Sequence, residues 1–133
     1  MNSFDTITLA ISKDYVDIVN PSYFHTTTNS DGVIVGKKSL KLNYTGLNVI
    51  KIEKNVCRIT ISAKILGANY VQGININTID MVFEMINKSN IIKLKTFELA
   101  HYQIHYCDVV INYRINDGEN LEDYFYSLSM INN

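Results

Sequence analysis

LNVIKIEKNVCRITISA (47–63) decides the fold. In its second half Cys57, Ile59, Ile61 and Ala63 alternate with Arg58, Thr60 and Ser62. Apolar and polar side chains alternating with period two mark a strand with one buried and one solvated face. LNVIKIE (47–53) is a second strand candidate, and Lys54-Asn55 between the two fits a tight turn. Strands joined by two residues must run antiparallel, because a parallel crossover needs a dozen residues or more. Toward the N-terminus, VIVG (33–36) and SLKLNY (39–44) extend the same meander. FDTITLAI (4–11) is another half-buried strand, with Ile7, Leu9 and Ile11 on one face and Thr6 and Thr8 on the other. DYVDIV (14–19) fits either a helical turn or a strand end. Asn20-Pro21-Ser22 breaks the chain, and HTTTNSDG (25–32) reads as a polar loop closing on a hairpin-type Asp31-Gly32 turn.

Toward the C-terminus the period changes. Residues 64–76, with Gly67 and Gly73, read as a loop. Ile79, Val82, Phe83 and Ile86 then recur at the spacing of one helix face. Asn77 is the expected N-cap and Asp80 the acidic residue at the third helical position. Residues 97–115 read as a long strand region, and Asn116-Asp117-Gly118 as a turn. A second helix is predicted over 120–130. Asn120 caps it, Asp123 sits in its first turn, and Leu121, Tyr124, Phe125 and Leu128 form its buried face. Strands, helix, strand and helix in that order predict an α+β fold: an antiparallel sheet with two helices packed on one face. A ferredoxin-like or RRM-like arrangement is compatible with it. With 133 residues, 47% of them hydrophobic and 19% charged, residues 1–133 are expected to form one domain with an adequate core.

Charge narrows the function. Twelve basic residues against thirteen acidic give a net charge of −1, so non-specific affinity for nucleic acid should be weak. The charges are partly segregated. Lys37, Lys38, Lys41, Lys51, Lys54, Arg58 and Lys64 lie in the first half, while Asp108, Asp117, Glu119, Glu122 and Asp123 crowd the last quarter. Cys57 and Cys107 both sit in apolar alternating runs, which favours buried free thiols. The N-terminal stretch lacks the features of a signal peptide, and no run approaches the roughly 20 apolar residues of a membrane span. The cytoplasm is the expected location, with no membrane partner.

No complete active site is legible. His101 and His105 are spaced HxxxH, but in a strand four residues span roughly 13 Å, too far for one metal ion. The glycine loop before the first helix matches no phosphate-binding fingerprint. Tyr44, Tyr102, Tyr106 and Tyr113 fall in strand regions, where they could pack in the core or form a stacking platform for bases. No metal-binding residue and no cofactor is assigned.

Three segments carry a resemblance. FDTITLAI followed by DIVNPSYF (17–24), RITISAKILGANY (58–70) before a helix, and LAHYQIHYCDVVI (99–111) before another occur in this order. Together they resemble the N-terminal part of phage and plasmid replication initiators of the filamentous-phage gene II type, the rolling-circle initiators. Gly67-Ala68-Asn69 departs from that family's Gly-Asn-Asn, and Cys107-Asp108 from its Ser-Lys. The resemblance implies a DNA-nicking endonuclease in which histidines hold Mg²⁺ or Mn²⁺ and a tyrosine attacks phosphate. That tyrosine would be expected downstream of residue 133. The expectation for the present chain is therefore to bind or position origin DNA, single-stranded or as a hairpin, without cutting. Lys51, Lys54, Arg58 and Lys64 are the expected phosphate contacts, with His105 and Tyr106 as the motif-matching pair. The alternative is a small phage or mobile-element protein acting through protein–protein contacts, including homodimerisation through an exposed edge strand.

Overall fold

The hairpin at 47–63 forms as its alternation dictates. Lys54 adopts the left-handed conformation (φ 56°) in its two-residue turn. The computed structural model describes residues 3–109, 120–123 and 125. Its strands are β1 (Phe4–Ser12), β2 (Val16–Ile18), β3 (Phe24–Thr28), β4 (Ile34–Ser39), β5 (Leu47–Glu53), β6 (Val56–Ser62), β7 (Ile92–Leu94) and β8 (Gln103–Val109). Helix α1 spans Ile79–Lys88. A six-stranded sheet has the order β3-β4-β5-β6-β1-β8, and β2 and β7 form a separate ribbon. Every pairing is antiparallel, so the chain is α+β. β6 and β8 flank β1 and run parallel to each other, with α1 in the connection between them. This split β-α-β unit is half of a ferredoxin-like arrangement. The other half differs: short 3-10 turns, β2 and the β3–β4 hairpin stand where a helix would follow β1.

Burial explains which face the helices cover. Ile7, Leu9 and Ile11 of β1, Ile50 of β5, and Cys57, Ile59 and Ile61 of β6 are all buried. Ile79, Val82, Phe83 and Ile86 of α1 join them in one core. The Phe83 ring stacks on Tyr102 at 4.6 Å and tilts against Phe97 at 5.4 Å. Residues 121–123 and 125 are helical, and Leu121 and Phe125 enter the same core, with Phe125 5.9 Å from Phe4. Asn120 caps this segment as expected, its Oδ1 accepting from the backbone N–H of Glu122 (2.9 Å) and Asp123 (3.3 Å). Tyr124, Leu128 and the rest of 126–130, with the 116–118 turn, lie outside the described residues. No helix among the described residues is long and apolar enough to cross a membrane.

The structure corrects several local expectations. The N-cap of α1 is Thr78, not Asn77, which places Asp80 one position earlier in the first turn. Thr78 is tied back into the loop, its hydroxyl donating to the Gly73 carbonyl (2.8 Å) and accepting from the Asn75 N–H (2.9 Å). HTTT, read as loop, forms β3, because a run of threonines has the β-branched shape a ladder favours. SLKLNY, read as a strand, leaves the ladder after Ser39, whose hydroxyl accepts from the Ile50 N–H at 2.9 Å. The loop at 64–76 is largely a 3-10 segment, Ala63–Gln72, broken where Gly67 turns to φ 58°. In the predicted 97–115 strand, Leu99–His101 is a 3-10 turn and pairing starts at Gln103. Residues 110–115 lie outside the described residues.

The cysteines follow the pairing. Cys57 sits opposite Ile11 of β1, and Cys107 opposite Ile7. Four residues of β1 separate those positions, roughly 13 Å along the strand, well beyond disulfide reach. Burial pushes the Cys57 thiol up from 9.0 to about 12. The buried Tyr102 phenol, which donates to the Thr96 carbonyl at 2.7 Å, is also raised, first by burial and then by the neighbouring Cys57. A raised folded-state value stabilises fully below the unfolded value, and that stability is lost as pH climbs from 9 toward 12. Wild type should therefore lose about 1.4 kcal/mol of stability between pH 8 and pH 10 that Cys57→Ala does not lose. Urea midpoints across that range check it. Identical slopes for the two proteins would refute the assignment.

Candidate nucleic-acid interface

Helices cover one face of the six-stranded sheet, and alternation sends every second side chain to the other. On that open face the register lines up one row. His25 of β3 pairs with Lys38 of β4, Lys38 with Lys51 of β5, Lys51 with Arg58 of β6, and Arg58 with Ala10 of β1. Neighbouring strands lie about 4.8 Å apart, so the three cations Lys38, Lys51 and Arg58 span about 10 Å. Like charges opposed across strands are destabilising. The Lys51 ammonium offsets part of this by pairing with Glu53 at 3.1 Å.

The next row is Val49, Thr60 and Thr8, and the two threonine hydroxyls are hydrogen-bonded to each other at 2.9 Å. The two rows enclose a shallow basin of about 400 Å³, lined by Thr8, Lys38, Val49, Lys51, Arg58 and Thr60. Arg58 Nε is buried, with no hydrogen-bond partner among the described residues. A buried guanidinium donor left unpaired costs free energy unless something from outside the fold accepts from it. The basin thus brings together the basic side chains of Lys38, Lys51 and Arg58 and the hydroxyls of Thr8 and Thr60. That combination suits an anion with several acceptor oxygens.

Of the residues expected from sequence, Lys51 and Arg58 meet here. Lys54 does not join them: it sits in the β5–β6 turn and lines a cleft on the helix side of the sheet. Lys64 lies past the opposite end of β6, exposed, its amide bonded to Ser62 Oγ at 3.1 Å. Closeness in sequence suggested one patch, but a strand and its turn carry these residues to different places. Tyr106 pairs with Thr8 and Ile104 with Leu9, so His105 is the extra residue of a bulge. The backbone of the motif-matching pair therefore borders the basin through Thr8. The stacking platform does not form from Tyr102 or Tyr44. Tyr102 is fully buried beside Phe83, and Tyr44 packs half-buried against the core. Tyr113 lies outside the described residues.

Lys38 and His25 are the positions that sequence missed. Lys38 fell just beyond the expected end of its strand, and His25 in the presumed loop; only the β3–β4–β5 register reveals them. His101 lies in the turn before β8, 3.1 Å from Glu98 and tilted against the Tyr15 ring at 4.5 Å. Among the described residues no group of three or more His, Cys, Asp and Glu side chains converges as a metal site. Comparison of the chain with family models, with curated proteins and with solved structures finds no match.

Proposed function

We propose that this chain is a DNA-positioning domain of the replication-initiator type, cytoplasmic, that holds single-stranded or hairpin origin DNA on the open face of its sheet. The observation that carries this reading is the Lys38–Lys51–Arg58 row, with a buried Arg58 Nε that has no partner among the described residues. Phosphate oxygens accept from the guanidinium and the ammonium groups, and the threonine hydroxyls lie beside them. Three phosphate contacts position a strand without reading its bases.

A second reading rests on a different feature. β3 ends the sheet, and Val33 and Ile34 at its hairpin are 58% and 65% exposed. An edge strand with no further neighbour among the described residues, beside apolar side chains, suits pairing with a second copy.

Fluorescence anisotropy with labelled single strands and hairpins, in a salt series with and without Mn²⁺, separates the two. Three phosphate contacts predict a log–log salt slope of about −2 for single strands. Absence of saturation up to about 100 µM protein at low salt would overturn the DNA reading. A concentration-dependent dimer in sedimentation under those conditions would then favour the second.

A further inference from the structure

The helix-side face of the sheet carries a second concavity. β4 and β5 form one wall and the β2–β7 ribbon approaches as the other, around a cleft of about 610 Å³. That size lies within the range of small-molecule sites. Its apolar surface comes from Val16 and Ile18 of β2, Val35 of β4 and Ile52 of β5, all half-buried. Its rim holds Lys13, Lys37, Lys54 and Lys95 against Asp14 and Asp17.

Asp17 is occupied by Lys95 at 3.3 Å. Lys13, Lys37 and Lys54 make no salt bridge among the described residues. Two of the three are fixed by backbone. The Lys13 N–H donates to the Asn55 carbonyl at 2.9 Å, and the Lys54 N–H reaches the Val35 carbonyl at 3.5 Å. Lys54 also holds φ 56° as the first residue of its two-residue turn, which fixes where its side chain leaves the hairpin. Lys13, Lys37 and Lys54, none of them ion-paired among the described residues, thus share with Asp14 the rim of a cleft that has an aliphatic wall.

We infer that this cleft binds a nucleoside polyphosphate, the phosphates on Lys13, Lys37 and Lys54 and the base over Val16, Ile18, Val35 and Ile52. An acid of the same charge without a planar apolar body would leave the floor exposed. A nucleoside alone would leave the cations unpaired. The site is separate from the open-face basin: Lys37 and Ile52 pair on the face that Cys57 shares, whereas Lys38, Lys51 and Arg58 point away from it.

Isothermal titration of the whole chain with ATP, inorganic tripolyphosphate and adenosine tests this. ATP should bind at least about tenfold more tightly than either fragment, since each fragment loses one of the two contact sets. Lys37→Glu and Lys54→Glu should each weaken ATP about tenfold or more, and Arg58→Met should leave it unchanged. Lys54→Gly, which relieves the positive φ, removes the same ammonium in a chain at least as well folded. It should weaken ATP as Lys54→Glu does. Equal affinity for ATP and tripolyphosphate would overturn the proposal in favour of a general anion patch. So would ATP binding untouched by Lys54→Gly, or no heat with ATP at millimolar concentration. Loss of ATP binding in Arg58→Met would place the ligand on the open face and overturn it too.

Discussion

Gly46→Ala should destabilise the fold by about 2–5 kcal/mol, while Gly32→Ala costs about 1–2 kcal/mol. Both glycines hold positive φ, 86° and 78°, so alanine meets similar backbone strain at each. They differ in the space around them. A Cβ on Gly32 would meet nothing within 4 Å. A Cβ on Gly46 would fall 2.2 Å from the amide nitrogen of Ile65 and 2.5 Å from its Cα. Ile65 is 2% exposed and packed in the core, so its backbone has no room to retreat. Gly46 cannot retreat either, because its carbonyl accepts from the Ser62 N–H at 2.8 Å. Alanine must therefore overpack a contact between two backbones. Urea unfolding of the two variants beside wild type isolates this steric term. Equal losses would mean that the 40–46 connection yields more readily than its hydrogen bonds imply.

Gly46 also marks where sequence stops being informative. Nothing in Tyr44-Thr45-Gly46-Leu47 announces that two backbones meet there, since the other party, Ile65, is nineteen residues away. Period-two alternation made β1 and β6 legible, and 3.6 periodicity made α1 legible, because each has one buried and one more solvated face; β5 was legible through its two-residue link to β6. β7 has three residues, too few to alternate, and its partner β2 is as short. β3 was hidden by its polarity: four successive residues, His25 to Thr28, offer no apolar face, yet the ladder with β4 needs only their backbone.

The candidate site divides along the same line. Arg58 was visible as the outward residue of the clearest strand, and Lys51 as its neighbour across the hairpin. That Lys38 completes the row depends on β4 pairing with β5 at Lys38 and Lys51, a long-range register no local pattern states. Lys54 and Lys64 misled because sequence distance was taken for spatial distance. Lys54 lines the cleft on the other face.

The row itself supplies a test that separates function from fold. Arg58→Met should weaken single-strand binding about tenfold or more and reduce the magnitude of the salt slope by about 0.7, the share of one phosphate contact. The same change should leave the fold as stable as before or up to about 1 kcal/mol more stable. Methionine keeps the aliphatic stem that lies along the sheet. It removes a cation standing opposite Lys51, and with it the buried Nε that has no partner among the described residues. If Arg58 served the fold alone, its loss would lower the unfolding midpoint and leave binding where it was. Lys64→Met, past the far end of β6, provides the comparison and should alter neither binding nor stability. Improved stability joined to lost binding would mean that the protein keeps an electrostatically costly row because an anion repays it. Arg58→Met with full affinity, whatever its stability, would remove the basin as the DNA contact.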